Sequence, residues 1–246
     1  MFSVNPAVVV FSPSRRLRDN TTKHTLENVL EVPEVVINMV DEAMVHQTSL
    51  ASCEYDRDTN EFTKAGFTMQ PATVVSPPMV HEAKLKLECR VLEVKSLGEN
   101  SGAGQLVIAE VLCMHVDESI LSNEGKIDPL AFHLVARLGG DWYCRVNADN
   151  LFQVPKPNTQ LGIGIDALPT AIKNSTILTG NHLGQLANVH QMPVINPAFH
   201  DDKLKNIFQY FSLSPDDMEK ELHLYAKELL SQNKVYEAWQ VLLTTG

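Results

Sequence analysis

The sequence predicts an α+β chain, with a mainly β region carrying short helices over residues 1–158 and a helical extension over residues 159–246. Two observations carry that reading. β-branched and alternating apolar runs crowd the first part, whereas from about residue 159 the texture changes to helices. Long helices do not alternate with the strands, so an antiparallel barrel fits better than a doubly wound sheet.

"PAVVVF" (6–11) is a short β-branched run, as in a buried strand. "KHTLENVLEV" (23–32) reads as a helix with Leu26, Val29 and Leu30 on one face and Pro33 ending it. "EVVINMV" (34–40) is a second strand, and "DEAMVHQTSLA" (41–51) a helix with its acidic residues in the first turn, where the dipole favours them. Over 82–94, Ala83, Leu85, Leu87, Cys89 and Val91 alternate with polar residues, which predicts one buried and one wet face. "QLVIAEVLCMHV" (105–116) is apolar on both faces, as in a strand covered on two sides, and "GENSGAG" (98–104) has the residues of a hairpin loop. Beyond, Leu204, Ile207, Phe208 and Phe211 form one helical stripe. Ser214 as N-cap and Pro215 at the first helical position open another helix, with Met218, Leu222, Tyr225 and Leu229 inward. "KVYEAWQVLL" (234–243) closes the series.

Composition narrows the function. The net charge of −10 argues against general nucleic-acid binding, which needs a basic face. No apolar run approaches the roughly 18 residues of a membrane span, and no secretory signal pattern opens the chain. Cys53, Cys89, Cys113 and Cys144 contain no close pair and no CxxC, so neither a disulfide framework nor a zinc-site spacing is present. A reducing, cytoplasmic setting is expected. His81 and His115 fall on strands with no matching ligand set, and no metal is expected.

Within this acidic chain, Arg15, Arg16, Arg18 and Lys23 crowd into nine positions, interleaved with Ser12, Ser14, Thr21, Thr22 and Thr25. A strand leading through such a loop to a helix start suits phosphate, because the first N–H groups of a helix lack partners and its dipole favours negative charge. A solvated surface loop explains the same residues, and Asn20 and Thr22 suit turn or cap roles. Neither GxxxxGK[ST] nor GxGxxG occurs, so the common nucleotide-triphosphate and dinucleotide signatures are absent.

"NPAVVVFSPSRRLRDNTTKHTLENV" resembles the flavin reductase-like family, whose fold is an FMN-binding split β-barrel. "VINMV", "FTKAGFT", "VSPPMVHEAKLKLECRVLEV", "LVIAEVLCMHVD" and "VARLGGDWYCRV" resemble its successive stretches, and 163–189 resembles a C-terminal extension seen in some members. The resemblance implies that Ser12, Ser14, Arg15, Arg16, Lys23 and Thr25 hold the FMN phosphate, with Asn5, Pro6 and His24 in the same motif. It places Gln47, Thr48 and Ser49 near the flavin, and His133, Arg137 and Gly140 near flavin or nicotinamide. An ordinary helix-packed histidine is the competing reading of His133, and polar residues ending a helix that of 47–49. The family begins several dozen residues upstream of the Asn-Pro strand, so the barrel is expected to be N-terminally incomplete.

The implied function is an FMN-binding flavoprotein oxidoreductase fed by NADH or NADPH, without a catalytic triad, acting as a homodimer with flavin near the interface. Two alternatives stand beside it: a non-catalytic flavin-binding protein or shortened relic, and a barrel whose helical tail is a partner-binding module.

Overall fold

The computed structural model describes residues 2–155 and 161–244, in two compact units, Met1–Phe152 and Gln153–Gly246. The boundary expected at 158/159 lies outside the described residues. Among the described residues, no helix is long and apolar enough to cross a membrane.

The first unit runs β1 (Ser3–Val4), β2 (Ala7–Phe11), α1 (His24–Glu31), β3 (Glu34–Asn38), α2 (Val45–Ala51), α3 (Glu61–Ala65), β4 (Met69–Gln70), β5 (Met79–Val80), β6 (Leu85–Ser96), β7 (Gln105–Val116), α4 (Pro129–Phe132), β8 (Val135–Gly139) and β9 (Trp142–Arg145). An antiparallel sheet of order β1-β2-β7-β6-β3 is its frame, with two small pairs, β4–β5 and β8–β9, beside it. Val8, Leu26, Val29, Met79, Cys89, Val107, Ala109 and Phe132 are buried. Leu26 and Val29 seat α1, each contributing about 1.5–3 kcal/mol of burial. Leu30, expected beside them, is exposed. Leu30 lies about 100° round the helix from Val29, on the other side of Leu26, at the edge of the buried face.

The long ribbon β6–β7 departs from simple alternation. Leu112 in β7 and Leu92 in β6 have no opposite residue, so each is the extra residue of a bulge, and both leucines are exposed. The first bulge shifts the pairing from Cys89↔Val111 to Glu88↔Cys113. Two expectations therefore change. Glu88, on the supposed wet face, is fully buried, and β7 is not covered on both sides, since Leu112 and Met114 are exposed.

Glu88 is buried for a reason. Its Oε1 accepts the N–H of Thr73 (2.8 Å), and its Oε2 accepts those of Val74 (2.6 Å) and Val75 (3.1 Å). This stretch has no ladder partners, and one carboxylate satisfies three successive donors. Glu34 accepts from Ser76 N–H (2.7 Å), and the Asn38 side chain from Val80 N–H (3.0 Å), extending the same device along 73–80.

The helix expected over 41–51 begins only at Val45. Asp41 is buried, accepts the N–H of Ala43 (3.0 Å) and Met44 (3.3 Å), and meets Lys84 Nζ at 3.2 Å. Its side chain makes a turn before the helix rather than sitting inside the first turn. His81, expected on a strand, lies in the turn between β5 and β6.

The second unit is helical: α5 (Thr170–Lys173), α6 (Gly180–Ala187), α7 (Asp202–Phe211), α8 (Pro215–Ser231) and α9 (Val235–Leu243). Leu183, Leu186, Leu204, Ile207, Leu222, Leu229, Leu230, Trp239 and Val241 form its core, with Phe208, Phe211 and Met218 partly buried against it. Pro215 opens α8 as expected, but Ser214 does not cap it; its hydroxyl donates to Asp217 Oδ2 (2.6 Å). Several buried polar groups here are paired, whereas Gln185 Oε1 is buried without a hydrogen-bond partner among the described residues. Trp239 Nε1 donates to Leu186 O (3.1 Å), and Gln240 holds both Asn196 N–H (2.7 Å) and Val194 O (3.1 Å). The Tyr225 hydroxyl donates to Asp201 Oδ2 (2.6 Å).

Glu88→Gln is expected to cost about 2–4 kcal/mol, because buried N–H donors lose a charged acceptor; a lower denaturant midpoint at unchanged slope would report it. Burial alone would raise the Glu88 carboxyl, but the N–H groups of Thr73 and Val74, the His115 ring and Val75 N–H bring it down to about 2, from an ordinary 4.5. The stability it contributes is complete above about pH 4.5 and is lost as pH falls toward 2. Acid titration of unfolding should show this loss in the wild type and a smaller one in Glu88→Gln.

Candidate functional site

The basic loop leaves β2 at Ser12 and reaches α1 at Lys23. It lies against the turn between β6 and β7: Gln105 N–H donates to Ser12 Oγ (3.1 Å), Arg15 N–H to Ala103 O (2.9 Å) and Gly102 N–H to Arg15 O (3.2 Å). Two glycines permit this approach. A Cβ on Gly102, whose φ is +82°, would stand 2.8 Å from Leu17 Cδ2, and one on Gly104 would stand 2.9 Å from Ser12 Oγ.

Arginines organise the loop from within. Arg15 Nε donates to Asn20 Oδ1 (2.7 Å), and a second nitrogen reaches the Asn20 carbonyl. Asn20 adopts φ +58°, a left-handed turn its short amide tolerates, and donates to Glu99 O (3.0 Å). Arg16 donates to Thr21 Oγ1 (3.0 Å) and to the Thr22 carbonyl, with Nε 3.5 Å from Glu54. The hydroxyl of Thr21, then its N–H, hold the Asp19 carboxyl down to about 2. The Thr22 hydroxyl donates to Glu27 (2.6 Å) and is the main cause of that carboxyl lying below its usual range.

Ser14, Lys23 and Thr25 are placed differently. Lys23 is the N-cap of α1 and makes no side-chain cap, so the first N–H groups of the helix are left uncapped. Among the described residues, the three side chains have no hydrogen-bond or ion-pair partner. The expected phosphate set thus divides: Ser12, Arg15 and Arg16 bond within the loop and its backing, while the side chains of Ser14, Lys23 and Thr25 stay unpartnered. A cleft of about 540 Å³ flanks the loop, bounded by Arg16, His24, Arg57 and Lys64 with Glu54 and Asp56.

The remaining expected residues lie on other elements. Gln47 Nε2 donates to the carbonyls of Ala65 (3.1 Å) and Gly66 (3.0 Å), tying α2 to the end of α3. Thr48 Oγ1 donates to Met44 O (3.0 Å), and the Ser49 carbonyl accepts from Ser52 Oγ (2.7 Å). The ion pairs of Arg16 and Arg18 with Glu54 link the basic loop to the segment after α2. His133 is not packed on a helix face: it ends α4 at φ +52°, exposed, and its carbonyl accepts Glu42 N–H (3.0 Å). Arg137 donates to Gly140 O (3.3 Å) within the β8–β9 hairpin.

Sequence reasoning missed Asn20 as the anchor of Arg15, and Glu54, Gly102 and Gly104 as supports of the loop. It also missed that His115, left without ligand partners, stands beside Glu88 and Cys113. A charge in the middle of an apolar strand and a Cys-x-His pair on its neighbour are the signals that mark this last group.

Arg16→Lys keeps the charge and loses the forked donation. It is expected to speed amide exchange over residues 20–22 by roughly five- to tenfold, the loss of about 1–1.4 kcal/mol of local closure. Hydrogen-exchange mass spectrometry checks this.

The family model of the flavin reductase like domain matches residues 1–134, more than half of the chain. An uncharacterized protein of Aquifex aeolicus (strain VF5) is 31% identical over 140 residues, 57% of this chain and 69% of that protein. Component B of nitrilotriacetate monooxygenase from Bacillus cereus superposes with a TM-score of 0.57 at 27% identity, covering 62% of this chain and 74% of that one. Flavoredoxin of Desulfovibrio vulgaris (Miyazaki F) superposes at 0.51 over 64% of this chain and 78% of its own, and at 21% identity it speaks for the fold alone. The sheet described above is thus the split barrel of these proteins, and the chain belongs to the flavin reductase-like family.

Proposed function

We propose that this chain is an FMN-dependent oxidoreductase that takes reducing equivalents from NADH or NADPH, as a homodimer with flavin near the subunit interface. The observation that supports it most is that the side chains of Ser14, in the basic loop, and of Lys23 and Thr25, at the uncapped start of α1, are unpartnered in a chain of this family.

These residues fit a phosphate monoester. An ammonium supplies charge, two hydroxyls donate hydrogen bonds, and the helix start adds aligned N–H groups. The Arg15 and Arg16 clamps, with the close backing of Gly102 and Gly104, hold the loop in shape before an anion arrives, so binding orders little new chain. When bound, the flavin supplies the hydride and electron chemistry, and the protein supplies orientation and shielding from water. On family resemblance, Gln47, Thr48 and Ser49 flank the flavin, and His133, Arg137 and Gly140 belong to its nicotinamide side. Exposed Leu92, Leu112 and Met114 on the β6–β7 ribbon offer the kind of apolar surface that subunits bury.

Titration with FMN, followed by visible absorption, is the test. Saturable perturbation of the flavin bands is expected, weakened roughly 10- to 100-fold in Lys23→Ala, as for a lost charge-assisted hydrogen bond. FMN-dependent oxidation of NADH or NADPH should follow. Absence of FMN binding overturns the proposal; binding without oxidation makes the chain a flavin carrier.

A further inference from the structure

The buried carboxylate that organises residues 73–75 has two other polar neighbours. Cys113 stands directly opposite Glu88 in the β6–β7 register, a pairing created by the bulge at Leu112. His115 follows two positions on, with Nε2 2.5 Å from Glu88 Oε1 and 3.6 Å from Cys113 Sγ. One donor atom from each residue lies within 4.8 Å of the other two. Opposed residues of an antiparallel pair share a face, and residues two apart on a strand do too. All three donors therefore project from one patch of a rigid ribbon.

A carboxylate, an imidazole and a thiol together suit a borderline-soft divalent ion, zinc above all. Tetrahedral zinc with bonds of about 2.0–2.3 Å sets its ligand atoms roughly 3.3–3.8 Å apart. The Sγ–Nε2 spacing already lies in that range, and the Nε2–Oε1 spacing has to open by about 1 Å to reach it. Glu88 cannot make that movement, since three backbone N–H groups fix it. His115 can, because its side chain keeps 30% of its exposure, which also gives an ion a path from solvent.

The lone pairs of the carboxylate support the same assignment. Thr73 N–H and the imidazole meet Oε1, and Val74 and Val75 N–H meet Oε2, so the one position not taken by backbone is the one facing His115. An ion there replaces the hydrogen between imidazole and carboxylate, and no backbone donor is stranded. We propose that Glu88, Cys113 and His115 form a Zn²⁺ site, with solvent completing the tetrahedron. Zinc takes neutral His115 and the Cys113 thiolate, whose proton leaves to buffer, so affinity rises with pH. The bound ion fastens the β6–β7 ribbon to the 73–75 segment. This assignment stands independently of the flavin reading.

The full chain, stripped with a chelator, is titrated with Co²⁺ as a coloured probe, and Zn²⁺ then displaces it. One equivalent is expected, with a sulfur-to-cobalt charge-transfer band and tetrahedral d–d absorption. Cys113→Ser abolishes the sulfur band, and both it and His115→Ala weaken Zn²⁺ by at least about tenfold, the scale of losing a ligand or its support. Cys53→Ser and Cys144→Ser leave the site intact. Glu88 is left in place because its substitution threatens the fold, and circular dichroism verifies the other variants. No stoichiometric uptake, uptake that survives both Cys113→Ser and His115→Ala, or uptake lost in Cys53→Ser overturns the proposal.

Discussion

Thr73, Val74 and Val75 run beside the sheet without a strand to pair with, and their N–H groups must still be satisfied. Glu88 accepts all three from the middle of β6. An unpaired carboxylate in that position would be costly, and an unpaired trio of donors would be costly as well; each removes the other's penalty. The ribbon, the 73–80 segment and the β4–β5 pair are thereby positioned around one buried charge. The bulge at Leu112 sets Cys113 and His115 on the Glu88 face.

The basic loop obeys a different constraint. Arginines in an acidic chain are expected to reach for anions, yet Arg15 and Arg16 first satisfy the carbonyls and side chains of Asn20, Thr21 and Thr22. Their rigid forks shape a turn that charge alone would leave open. Gly102 and Gly104 let that turn settle on the β6–β7 connection, so the loop is braced by the same ribbon that Glu88 fixes. The side chains of Ser14, Lys23 and Thr25, by contrast, are unpartnered among the described residues.

In the helical unit, apolar packing sets the arrangement and a few buried polar groups specify it. Gln240 reads one donor and one acceptor of the chain at 194–196, a contact a leucine of equal size could not make. The Tyr225 hydroxyl, its ionisation pushed up first by burial and then by Asp201, stays protonated as a donor to that carboxylate, whose other oxygen caps Leu204 N–H at the start of α7.

By itself the sequence determined the order and type of the main elements, since periodicity is a local property: the β2, β3, β6 and β7 segments and the stripes of α7, α8 and α9 were legible in it. Motif order across residues 1–150 determined the family, and the cluster of basic and hydroxyl residues marked the loop. Only tertiary structure decided which members of that cluster are spent inside it, because Arg15 and Arg16 reveal their role through Asn20 and Thr22 only once the chain turns. It alone decided that Asp41 makes a turn ahead of α2 and that Leu30 faces out. Above all, it turned Glu88 inward: alternation assigns that side chain to water, and the partners that reverse the assignment, Thr73 to Val75 and His115, are brought to it by pairing and a one-residue bulge that no local pattern encodes.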